Sequence, residues 1–163
     1  MDYNKILNLI YVLFVGLLIA IFVGVGINTF YEPPEQPEYP YDYGYQEETS
    51  EEQIKLEKQY EKENDKYEKE AKEYYGNASV LAVSSSVVLI AFSIAYAKKI
   101  KTIGDGVMLG GLFTLLYSIG LGIASTNSKL NFGIVSVSLV VVIYLGYHRF
   151  IKTEKPVSRK TKK

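Results

Sequence analysis

Asp105 and His148 are the carboxylate and the imidazole that stand closest to the long apolar stretches of this 163-residue chain. Such groups inside a membrane are the usual equipment of a proton relay or an ion site. Their surroundings point to plainer roles. Thr102-x-x-Asp105 has the spacing of a capping box, and a carboxylate at a helix start is favoured by the exposed N–H groups there. His148 sits beside Arg149 with no spaced ligand partners, which suits a headgroup-level residue better than a metal ligand. The apolar stretches otherwise offer hydroxyls: Ser84, Ser85, Ser86, Ser93, Thr114, Ser118, Ser136 and Ser138. No Gly-rich phosphate loop, HExxH pair, Ser-His-Asp set or cysteine nucleophile is present. Carboxylates crowd the segment after the first apolar run, but they read as solvated and without a shaped cavity. The expectation is therefore a protein that is not an enzyme, with no cofactor and no metal. Asn77-Ala78-Ser79 matches a glycosylation sequon, yet it abuts an apolar run and reads as chance.

Tyrosine is the other chemically suggestive residue. Pro33, Pro34, Pro37 and Pro40 remove backbone donors and hold the chain extended, in polyproline II or similar geometry. Tyr39, Tyr41, Tyr43 and Tyr45 alternate, so an extended backbone throws all four rings to one side. A ring that is apolar with a hydroxyl tip suits a surface half wet and half buried. Such a strap is shaped to lie against its own protein or a sister copy, with an aromatic ligand site or plain disorder as alternatives. Further along, Tyr60, Tyr67 and Tyr74 recur every seven residues, with Leu56, Asn64 and Ala71 near the same stripe. That seam implies a packing face on a helix, with a partner helix or an oligomer wall against it.

These residues need elements to position them. Four apolar blocks, Ile6 to Tyr31, Ala78 to Ala97, Ile103 to Ala124 and Asn131 to Arg149, are each long enough to cross a hydrocarbon core of about 30 Å as a helix. In lipid such segments satisfy their backbone groups only as helices. The first block is far longer than the core of a secretory signal and no small-x-small site precedes the prolines, so it is expected to stay as an uncleaved span. Cysteine is absent, which excludes disulfides and thiolate metal sites. Between the first two spans, Thr49 with Glu52 or Ser50 with Gln53 offers a capping box ahead of a Glu- and Lys-rich run. From Ser50 to Tyr75 that helix would be about 39 Å long, and it leads into the second span with a bend expected at Gly76.

Within the spans, small residues mark where helices approach closely. Gly16, Ala20 and Gly24 form one such row, Ala78, Ala82 and Ser86 a second, Gly106 and Gly110 a third, and Gly120 with Ala124 continues the theme. Short links force spans two, three and four to run as antiparallel neighbours. Whether the glycine faces meet within one chain or between chains does not follow from spacing.

The formal charge of zero hides an asymmetry. Residues 32–77 carry fifteen Asp and Glu against six Lys. Lys98, Lys99 and Lys101 fill the second link, and Arg149, Lys152, Lys155, Arg159, Lys160, Lys162 and Lys163 crowd the end of the chain. The positive-inside rule places both basic regions and both termini in the cytoplasm, and residues 32–77 on the far side of a cytoplasmic membrane. Lys98, Lys99, Lys101, Arg149 and Lys152 are expected at lipid headgroups. Nucleic acid is not expected as a partner, since no folded basic face is evident.

Ile103 to Gly120, IGDGVMLGGLFTLLYSIG, preceded by the charged helix and the lysine-rich turn, is similar to uncharacterised small four-span bacterial membrane proteins. The resemblance covers the second and third spans and implies a bacterial origin without implying an activity. The sequence thus predicts an all-α fold, a four-transmembrane-helix bundle with a long charged extramembrane helix continuing into the second span. It divides into a first span (1–31), a Pro/Tyr-rich strap (32–48), a charged outer helix (49–77), a three-helix transmembrane segment (78–149) and a basic tail (150–163). Its expected partners are the lipid bilayer and other copies of itself. A structural or assembly homo-oligomer with an acidic helical crown of coiled-coil character is the first reading of function. A pore lined by serines of span two, or an accessory subunit bound to another membrane protein through the strap, are the alternatives.

Overall fold

The computed structural model describes residues 3–38, 51–96 and 101–148. It is all-helical over these residues apart from the strap start and one turn. The helices are α1 (Tyr3–Phe30), α2 (Glu51–Tyr96), α3 (Lys101–Ala124) and α4 (Ser128–Gly146). All four are long and apolar enough to cross a membrane, so the chain is a multi-pass helical membrane protein. Most of α1 faces outward: among its residues Gly16 and Ile27 are buried, while Leu9, Phe14 and Phe22 stand exposed. Lipid is the medium that solvates such a surface.

α2 has 46 residues and rises about 69 Å, more than twice a hydrocarbon core. It runs without a break through Gly76 and Asn77, so the charged outer helix and the second span are one element. On its outer half, Lys66–Glu70 and Lys72–Glu68 pair at i,i+4 with N–O distances of 3.6 and 3.1 Å. Exposed pairs of this kind add a few tenths of a kcal/mol each. The expected caps Thr49 and Ser50 lie outside the described residues. At the other expected cap the structure differs from the spacing: Lys101 is already helical, so Thr102 lies inside α3 and does not open it.

α3 is the central helix. It runs antiparallel to α2 and packs along it extensively, and α1 packs along another side of α3, parallel to it. α4 lies against α3 and α2, and makes no close backbone approach to α1 among the described residues. The α3–α4 turn is shorter than expected because α4 begins at Ser128, three residues before the apolar block. Thr126 takes the left-handed conformation at φ 55°, unusual for a β-branched residue. Asn127 caps α4, its side chain accepting from the Leu130 N–H at 3.2 Å. Ser125 Oγ donates back to the Gly122 carbonyl at 2.7 Å, closing the end of α3.

Candidate functional site

Two seams in the membrane half and one junction outside it hold the molecule together. The first seam joins α1 to α3. A Cβ built at Gly110 would lie 2.8 Å from both Cβ and Cγ2 of Ile19, one at Gly106 2.8 Å from Val15 Cγ1, and one at Gly16 3.0 Å from Leu109 Cβ. The glycine rows of α1 and α3 therefore meet within one chain, where the missing side chains let backbones approach. Ala20 is half-buried in the same row, and Gly24 faces the Tyr117 ring at ordinary contact distance.

The second seam joins α2 to α3. Gly111, which the spacing argument missed, sits where a Cβ would come within 2.6 Å of Ile90 Cγ1 and 3.3 Å of the Ser86 carbonyl. Across this seam Ser86 Oγ donates to the Gly111 carbonyl at 2.8 Å, and Ser93 Oγ donates to the Gly104 carbonyl at 2.7 Å. Ser86 and Ser93 are seven apart, as are Gly104 and Gly111, so two turns of α2 match two turns of α3 in antiparallel register. Each bond of this type in a membrane contributes about 0.6 kcal/mol, up to about 1.7. The other span hydroxyls turn back on their own helices: Ser84 to Val80, Ser85 to Leu81, Thr114 to Gly110, Ser118 to Leu115, Ser136 to Phe132 and Ser138 to Ile134. On α4, Asn131 packs onto Gly122 with its Oδ1 buried and unpartnered, a cost carried by the α3–α4 contact. No described residue comes within 4 Å of a Cβ built at Gly120, and Ala124, expected in the same row, is exposed.

The junction lies where α1 leaves the apolar region. Tyr31 and Tyr74 stack at 5.0 Å between centroids with 5° between planes. Tyr74 Oη donates to Asn28 Oδ1 at 2.8 Å, and Asn77 Nδ2 donates to Tyr31 Oη at 3.0 Å. Ile27, Ala78 and Ala82 close beneath them, leaving Tyr74 only 5% exposed. Both rings thus bury their faces and keep their hydroxyls bonded. Asn28, Tyr31 and Asn77 were not anticipated; their signal was polarity at the ends of apolar runs.

Of the tyrosine stripe on α2, Tyr74 is buried within the chain, while Tyr60 and Tyr67 are half-buried. Ala78, Ala82 and Ser86 are buried further down the same helix. Lys101 is exposed at the start of α3. Tyr39, Tyr41, Tyr43 and Tyr45, and Lys98, Lys99, Arg149 and Lys152, lie outside the described residues. His148 lies just beyond α4 with its ring 6.2 Å from that of Tyr144, and Asp105 is half-buried on α3. Among the described residues no three His, Cys, Asp or Glu side chains converge as a metal site would require. No protein-family model, no curated protein and no solved structure matches the chain.

Proposed function

We propose that this protein is a non-catalytic integral membrane scaffold that assembles with itself and displays an acidic helical crown on the extracytoplasmic side, with both termini in the cytoplasm. The carrying observation is α2: one helix whose inner half is locked into the serine–glycine seam and whose outer half extends about 40 Å beyond the apolar run. The tyrosine junction fixes the emergence of that rod to α1. A rod held in this way is a spacer or a docking post. Self-association is supported by α3, which turns Leu116, Gly120 and Ile123 outward between α1 and α4, with bare backbone at Gly120 where another helix can approach.

Purification in mild detergent followed by a mass measurement tests the reading. A defined homo-oligomer supports it, and a monomer that is stable only with another protein favours an accessory subunit. Liposome conductance addresses a pore: ion flux through the unaltered chain, abolished by replacing Ser84 and Ser85, which lie outside the seam, with leucine, would overturn the scaffold.

A further inference from the structure

The strap after α1 does not lie at random on the rod. Pro34 lines one cleft of about 250 Å³ with Tyr31, Tyr74, Glu70 and Glu73, and Pro37 lines the next, of about 430 Å³, with Glu35, Glu38, Lys66 and Tyr67. Between Glu32 and Glu38 only Pro34 and Pro37 are half-buried; the other residues are exposed. A polyproline II helix has three residues per turn, so positions three apart share one face. On α2, the half-buried and buried positions from Ile54 to Tyr74 are Leu56, Tyr60, Asn64, Tyr67, Ala71 and Tyr74, a single stripe.

The two periods match. One polyproline II turn rises about 9.3 Å and seven helical residues about 10.5 Å, so prolines at spacing three recur along the rod at nearly the interval of tyrosines at spacing seven. Charge does not drive the pairing, because the strap brings Glu35 and Glu38 alongside Glu63 and Glu70 with Lys66 as the cation between them. Apolar contact of pyrrolidine rings with tyrosine faces is the remaining source of attraction, as in aromatic grooves that read Pro-x-x-Pro.

We propose that the tyrosine stripe of the α2 rod is a polyproline II binding groove that reads Pro-x-x-Pro, and that Pro34-Glu35-Gln36-Pro37 of the same chain is its ligand. The groove is anchored at its membrane end by the Tyr31–Tyr74 stack. It stands whether or not the chain assembles with itself, since both halves belong to one copy.

The test is amide hydrogen exchange over residues 60–75 of the full chain in lipid nanodiscs. Replacing Pro34 and Pro37 together with alanine is expected to speed exchange there by about tenfold, through more frequent local opening. Pro33→Ala, at an exposed position beside them, is expected to change nothing. Tyr67→Phe is expected to keep protection and Tyr67→Ala to lose it. Because the chain has no cysteine, Gln36→Cys with Lys66→Cys places a unique spin-label pair across the second cleft. A narrow, short distance distribution is expected, broadened by the double proline variant even if the bundle loosens. Equal effects of Pro33→Ala and the double variant, or a broad distribution in the parent chain, would overturn the proposal.

Discussion

At the residue scale, the decisive positions are those where a hydrogen stands in for a side chain. At Gly111 a methyl group would press on Ile90 Cγ1 and the Ser86 carbonyl together, and at Gly110 on Ile19 Cβ, an atom fixed to its backbone. Neither neighbour can swing aside as the tip of a long side chain would. Gly111→Ala and Gly110→Ala are each expected to destabilise the bundle by about 1–3 kcal/mol, the usual cost of overpacking. Gly133→Ala, on an exposed face of α4 where no described residue comes near its would-be Cβ, is the control and is expected to be neutral or to gain up to about 1 kcal/mol. Unfolding by titration of a denaturing detergent, followed by circular dichroism, measures all three. If Gly133→Ala proved as costly as Gly111→Ala, close approach would not be the explanation, since helix propensity by itself favours alanine over glycine.

At the element scale, α2 poses the physical question of how one helix serves two solvents. Its outer half is laced with Glu and Lys and stays in water; its inner half is apolar and seamed to α3. Gly76 stands at the boundary, where glycine weakens a helix by about 0.5–1 kcal/mol relative to alanine. A Cβ there would meet Leu130 and Ser125 at 3.7 Å, an ordinary contact. Gly76→Ala is therefore expected to be accepted and to slow amide exchange around the boundary. Gly76→Pro should break the rod from the span at a cost of about 3 kcal/mol or more. Faster exchange in Gly76→Ala would mean that the boundary needs a flexible joint after all.

At the scale of the whole molecule, α1 and α4 flank the α2–α3 pair and leave part of α3 bare. If copies meet there, Gly120→Leu should shift the mass in mild detergent toward the monomer while leaving the detergent-unfolding midpoint of the monomer nearly unchanged. An unaltered oligomer would remove this face from the assembly. Sidedness is checked separately: protease added to intact cells should cut the rod and spare the basic tail, because lysine and arginine beside short links are held on the cytoplasmic side.

The four helices were legible in the residues because they rest on one-dimensional physics, whereas the unbroken passage of the charged rod into the second span through Gly76 was decided only by the structure. Hydrocarbon thickness fixes the length of an apolar run, and backbone groups without water must close on their own helix. The heptad of Tyr60, Tyr67 and Tyr74 announced a packing face for the same reason, since helical period alone puts them in line. What lies on that face was not legible: over Tyr67 and Tyr74 it is the chain's own proline strap and the end of α1. Nor did spacing say that Gly16 meets Gly110 inside one chain, that Gly111 faces the opposite seam, or that Gly120 meets no described residue. Glycines one residue apart point about 100° apart around a helix. Which direction carries a neighbour depends on how the helices are arranged around α3, a property of the packed molecule that no local pattern encodes.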